Sequence, residues 1–257
     1  MEERIKETEG GADAPVESHP APIAPAKKHR VRTLIREMWP AYLIEILVII
    51  LGISITLALE EWRDSSKEAQ LERIYRQNLL GDIEADLQSL KYATENTREL
   101  LKKGDELLQF IRDPLNHTLS LDQVDADLRT IVGRPNFVSH DATFSDLKSS
   151  GNLRLIKDIR LKGVMFAYYS QAETIKAAQD AEQQATIVIS GPYFFKHFSL
   201  MGDTVPARGR YSVPTDLITD VEFDNNVLLR VTNRDELMAD YQKADSLAIQ
   251  LRNALSN

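Results

Sequence analysis

The chain has 257 residues, with 39 acidic against 31 basic side chains and a formal net charge of -8. That balance excludes a nucleic-acid partner, because neutralising phosphates takes a clustered basic surface. Cysteine is absent, which excludes disulfides, thiolate nucleophiles and cysteine-rich zinc sites.

Residues 1–38 read as a disordered tail ending in a basic cluster. Up to Lys27 the tail holds Pro15, Pro20, Pro22 and Pro25 and almost no large apolar side chain, too little to offset the entropy of ordering. The cluster is Lys27, Lys28, Arg30, Arg32 and Arg36.

Residues 39–62 read as a transmembrane helix. The run AYLIEILVIILGISITLAL, Ala41 to Leu59, is about 28 Å long as a helix, close to the roughly 30 Å of a hydrocarbon core. Trp39, Tyr42 and Trp62 stand where interfacial aromatics belong, and Glu60, Glu61, Arg63 and Asp64 close the run. Thr56-Leu57-Ala58 loosely fits a signal-cleavage site, but the long preceding tail and the length of the run speak against cleavage. The excess of Lys and Arg before the span predicts a cytoplasmic N-terminus, with residues 63–257 on the far side.

From Ser66 onward Leu71, Ile74, Tyr75, Leu79, Ile83, Leu87, Leu90, Leu101, Leu108 and Ile111 recur at helical spacing. They predict one long amphipathic helix, or two in line, ended by Asp113-Pro114, with Gly81 and Gly104 as weak points. Ser120 to Val132 and Thr143 to Ser150 predict shorter helices. The second carries Asp146 in capping-box relation to Thr143, and Gly151 as its stop. A helix is predicted from Ile156 to Ile189, a loop from Gly202 to Asp220, and a closing helix marked by Val227, Leu228, Val231, Met238, Tyr241, Leu247, Leu251 and Leu255. Thr186 to Leu200 is too short for a second span and is interrupted by Gly191-Pro192, Lys196 and His197. The expected fold is all-α: one N-terminal transmembrane helix, then a helical bundle whose first helix is long and membrane-proximal.

Two segments carry a family resemblance. YLIEILVIILGISITLALEEW has a glutamate early, a glycine midway and a tryptophan at its exit. TFSDLKSSGNLRLIKDIRLKGVMFAYYS has a Leu-x-x-Ser-Gly-Asn-Leu core leading to paired tyrosines. In this order they resemble a family of uncharacterised bacterial single-pass membrane proteins, from about Trp39 to the C-terminus. The resemblance implies a helical extracytoplasmic domain and no particular activity, and the Pro-rich tail lies outside its pattern. It places the span in the bacterial inner (cytoplasmic) membrane and the C-terminal domain in the periplasm or outside the cell.

Glu45, Gly52 and Thr56 are the first candidate site. At 100° per residue they lie within about 20° of one direction, a stripe with a carboxyl, no side chain and a hydroxyl. Such a face packs against another membrane helix, Gly52 allowing close approach and the other two hydrogen-bonding across. Glu45 could instead reach the cytoplasmic headgroups, or serve an ion-coupled subunit if other helices completed a pore.

The turn Ser149, Ser150, Gly151 and Asn152, with Arg154, is a second candidate, for an anion or small ligand; its plain alternative is a helix–turn–helix connection. Tyr168-Tyr169 and Tyr193-Phe194-Phe195 fit core packing better than a ligand face. His117, His140 and His197 have no metal-ligand spacing, and no nucleophile elbow or phosphate loop is present. The sequence therefore predicts no enzyme, cofactor or metal. It predicts a membrane-anchored module working through protein contacts in the envelope, with copies of itself or with another protein. A ligand-sensing periplasmic bundle is the alternative.

Overall fold

The computed structural model describes residues 28–134, 136–198 and 215–256. The tail up to Lys27 and most of the loop expected from Gly202 lie outside the described residues. Every regular element among the described residues is helical, as the expected all-α class requires. The chain divides into two units, Met1–Trp62 and Arg63–Asn257.

In the first unit the helix α1 (Lys28–Arg112) begins earlier than the sequence suggests. Lys28 to Met38, read as the end of a disordered tail, are helical, because that segment holds good helix formers and no breaker. Pro40 lies inside the helix, where it leaves the fourth preceding carbonyl without its usual donor. From Tyr42 to Trp62 every residue is exposed, and this apolar stretch of α1 is long enough to cross a membrane.

The second unit is built on α1, α4 (Ile159–Ala185) and α7 (Val221–Ser256), with α4 packed along α7. Within the buried positions of each helix runs an unbroken alternation of three and four, with further buried residues beside it. On α1 the alternating set is Leu79, Ile83, Asp86, Leu90, Ala93, Thr97, Leu100, Gly104, Leu107 and Ile111. On α4 it is Leu161, Met165, Tyr168, Ala172, Ile175, Gln179 and Glu182. On α7 it runs from Phe223 through Val227, Arg230, Arg234, Leu237, Tyr241, Ala244, Ala248 and Leu251 to Leu255. This mean spacing of 3.5 is that of a left-handed coiled-coil seam, narrower than the face of an ordinary surface helix. Leu71 and Ile74, expected on the apolar face, fall outside the seam and are exposed.

Gly104 and Gly81 differ for the same reason. Gly81 has open space around it, whereas a Cβ on Gly104 would overlap Cγ2 of Val231, so α1 and α7 approach closely there.

The shorter elements close the two ends of the seam. The helix α2 (Leu121–Val132) opens with a capping box in which Ser120 and Gln123 exchange hydrogen bonds. The helix α3 (Ala142–Ser149) lacks the capping box expected at Thr143, which sits inside its first turn. Asp146 is engaged elsewhere, accepting from the Tyr75 hydroxyl at 2.6 Å. Gly151 is left-handed at φ 73°, and a 3-10 turn (Asn152–Leu155) leads to α4, whose N-terminus Asp158 caps through Arg160 N and Leu161 N.

After α4 the chain stays helical through Gly191-Pro192. A π turn (Thr186–Ser190) passes into α5 (Gly191–His197), with Pro192 in the first turn of α5. The short α6 (Thr215–Ile218) precedes α7.

The core falls into two apolar clusters. One joins α1 from Tyr75 to Ala93 with α3, α4 and the second half of α7. The other joins α1 from Leu100 to Ile111 with α2, α5, α6 and the start of α7. Between them, at Thr97, Gln179, Glu182, Arg230 and Arg234, the seam is polar.

Candidate functional site

That polar layer is an ion network without solvent. Glu182, Arg230 and Arg234 are at most 3% exposed. Arg230 Nη1 donates to Glu182 Oε1 and to Thr186 Oγ1, both at 2.8 Å. Its Nε and Nη2 donate to Ile131 O at 3.0 and 2.7 Å, and Nη2 also to Gly133 O at 2.9 Å, so the guanidinium closes the carbonyl end of α2. Arg234 Nη2 lies 2.7 Å from Glu182 Oε2. One carboxylate thus serves two buried guanidiniums, and burial lowers the pKa of Arg230 to about 10 despite the opposing pull of Glu182.

The π turn is fitted to this network. The Thr186 hydroxyl donates to Glu182 O at 2.8 Å while accepting from Arg230, and Gly191 N bonds Thr186 O. A Cβ at Gly191 would stand 2.8 Å from that same carbonyl oxygen, which explains the glycine.

A second polar centre lies beneath the segment from Asn136 to Asp141, which crosses α1 and α4 without regular structure. Asp86, with no exposure, accepts from Ser139 Oγ at 2.9 Å and from His140 N at 2.8 Å. His140 Nδ1 lies 2.7 Å from Asp86 Oδ1, and the Tyr168 hydroxyl donates to Oδ2 at 2.5 Å. On α4 the Gln179 amide accepts from Phe137 N at 2.8 Å and donates to Phe137 O at 2.9 Å, as a neighbouring strand would. The segment is therefore a strap tied to α1 through a carboxylate and to α4 through an amide.

On the outer side of the strap is a cleft of about 340 Å³ between it, α3 and α4. Phe137, Phe144, Tyr169 and Ala172 supply apolar surface, and Asp141, Lys148, Glu173, Lys176 and Asp180 its charges. Burial, and then Asp82, Asp86 and Asp141, push the Tyr169 phenol well above its ordinary pKa, so it stays protonated.

The structure distributes the sequence candidates differently. Glu45, Gly52 and Thr56 are exposed on α1, and Thr56 Oγ1 donates to Gly52 O at 2.9 Å along the same face. In the Ser149 to Asn152 turn the donors are used within the fold. Ser150 N and Oγ bond Asp146 O, Asn152 Nδ2 donates to the Tyr75 hydroxyl, and Arg154 Nη1 pairs with Glu68 at 2.5 Å. Its role here is to join α3 to α1.

Tyr168, Tyr169, Tyr193 and Phe194 are buried, whereas Phe195 is 76% exposed. His117 lies near Asp113, His140 on Asp86, and His197 stacks on Tyr193 with centroids 4.6 Å apart. Among the described residues no three His, Asp or Glu side chains are placed to share a metal ion.

Asp86, Gln179, Glu182, Arg230 and Arg234 went unread because a charged residue on a helix is ordinarily solvated. The available signal was the spacing, since all five continue the three-four alternation of their apolar neighbours. No known protein family, curated protein or solved structure matches this chain.

Proposed function

We propose that the chain is a single-pass membrane protein that acts without catalysis, through protein contacts. Its N-terminus lies in the cytoplasm, and residues 63–257 lie beyond the bacterial inner membrane. The observation that carries the anchor is the stretch from Tyr42 to Leu59, apolar apart from Ser54 and the narrow stripe through Glu45 and Thr56, and exposed at every position. In water each such side chain would forgo roughly 1.5–3 kcal/mol of burial, so hydrocarbon is the medium in which this surface is stable. The resemblance of two segments to uncharacterised bacterial single-pass proteins supports the same reading.

Protein contact is supported by the Glu45, Gly52, Thr56 stripe. A carboxyl facing lipid is costly, and a second helix meeting it across Gly52 supplies a partner. Action without catalysis is supported by the use of the buried carboxylates Asp86 and Glu182 as internal ties. Ile187, Val188, Ile189 and Phe195 also stay exposed on the π turn and α5, the kind of apolar surface that protein interfaces cover.

The test is association of the span in a membrane two-hybrid assay with matched expression. Gly52→Leu and Glu45→Leu should weaken the signal, by on the order of 1 kcal/mol for an interhelical hydrogen bond, while Ile50→Leu should leave it unchanged. Equal signals from all four chains would rule out self-association through this face. Crosslinking in intact cells would then identify a different partner.

The ligand-sensing reading is favoured by one feature, the cleft beside the strap. Its size falls at the small end of the range for small-molecule sites.

A further inference from the structure

The cleft has a charge pattern that selects among ligands. Phe144 stacks on Tyr169 with ring centroids 4.1 Å apart and planes within 6° of parallel, giving the floor an aromatic face. The faces of such rings carry negative potential and attract cations.

The rim adds to that potential. Lys176 is held by Asp180 at 2.6 Å, and Asp141 and Glu173, from the start of α3 and from α4, have no ion-pair partner among the described residues. The Asp141 carboxylate makes no capping bond to α3 either, and the only hydrogen bond it accepts among the described residues is a long one from Ser145 Oγ at 3.4 Å. The remaining charge is Lys148, an exposed side chain whose Nζ stands 5.3 Å from the Phe144 centroid. The fold thus already seats one of its own ammonium groups on the platform.

Tyr169 lines the cleft with its ring. It is 3% exposed, and its hydroxyl, buried away from solvent, has no hydrogen-bond partner among the described residues.

We propose that this cleft binds a small organic cation, an ammonium or guanidinium head on an apolar or aromatic body. The head takes the place of Lys148 Nζ over Phe144, within reach of Asp141 and Glu173, and the body lies along Phe137 and Ala172. Lys148 is then an internal competitor that swings into water when the ligand enters. This site is independent of the span and of any contact it makes.

The experiment uses the full chain in lipid nanodiscs, with empty discs subtracted, and follows binding by calorimetry. The probes are 2-phenylethylammonium and its matched anion 3-phenylpropionate. The cation should bind saturably and the anion at least about tenfold more weakly. Lys148→Met, at an exposed position, should tighten binding of the cation about fivefold by removing the competing charge. The pair Asp141→Asn and Glu173→Gln should weaken it about tenfold. Equal or tighter binding of the anion overturns the proposal, as does loss of cation affinity in Lys148→Met. Absence of saturable 2-phenylethylammonium binding by the wild-type chain overturns it as well, whatever the two-hybrid assay reports about the span.

Discussion

The Tyr168 hydroxyl on α4 donates a 2.5 Å hydrogen bond to Oδ2 of Asp86, a carboxylate on α1 with no exposure to solvent. The same carboxylate accepts from Ser139 and His140, so one side chain fastens two helices and the strap together. Asp86→Asn would turn an NH₂ group toward donors that need acceptors. It should cost about 2–3 kcal/mol, against about 1 kcal/mol for Tyr168→Phe, which removes a single donor. Denaturant titration of the solubilised chain measures both. Unchanged stability in Asp86→Asn would show that the strap is held by Gln179 alone.

Glu182 carries the heavier electrostatic duty. Glu182→Gln keeps the shape but leaves Arg230 and Arg234 buried without a counter-charge, for an expected loss of about 3–5 kcal/mol. Adding Arg234→Met should recover part of that loss, because the second guanidinium then needs no partner. A double-mutant cycle in which the two effects simply add would show that the pair at 2.7 Å does not couple.

Two glycines on one helix should respond with opposite sign. Gly81→Ala meets nothing and gains helix propensity, so stability should rise by up to about 1 kcal/mol. Gly104→Ala meets the methyl of Val231 and should lose about 1–3 kcal/mol through overpacking, with Val231→Ala restoring most of it. Thermal unfolding of the three variants decides the matter. A stabilised Gly104→Ala would mean that α1 and α7 separate easily there.

Alkaline pH should unfold the second unit through its tyrosines. Burial raises the pKa of Tyr168, Tyr169 and Tyr241 above the ordinary 10.0, that of Tyr241 to about 12. The unfolded chain therefore releases these protons from pH 10 upward while the folded chain retains them. Their contribution is complete below pH 10 and is lost as pH rises toward the folded values. The slope is about 1.4 kcal/mol per pH unit for each tyrosine. Phenolate absorbance should then appear in two stages, exposed tyrosines first and these three cooperatively with unfolding. A single smooth titration near pH 10 would contradict their burial.

The extent to which this architecture was legible depended on which residues carried it. The apolar run up to Leu59 and the segment from Ser120 to Val132 are local signals, and the structure places a helix at each. Gly151 was read as a stop and adopts the left-handed conformation that a stop requires.

Gly191-Pro192 misled for a local reason, since a breaker pair in mid-helix ordinarily ends it, and here a π turn absorbs it. The Ser149 to Arg154 turn could not be assigned from sequence because its partners, Tyr75 and Glu68, lie about two turns apart on another helix. The cleft was equally hidden, because its walls come from α3, α4 and a strap with no periodicity of its own. The polar layer was hidden by composition but not by spacing. Arg230 and Arg234 stand in register with Val227 and Leu237, which marks them as inward-facing once the seam is counted in threes and fours.

We propose that one helix anchors the chain, with residues 63–257 beyond the membrane. The chain contains no cysteine, so a single introduced thiol reports its own side without background. Cells carrying Ser18→Cys, Ser66→Cys or Asn257→Cys, with the outer envelope opened, are treated with a membrane-impermeant maleimide. Labelling at positions 66 and 257 and protection at 18 until the membrane is lysed is the predicted result. Labelling at 18 with protection at 66 and 257 would reverse the orientation, and release of the chain by an alkaline wash would contradict the anchor itself.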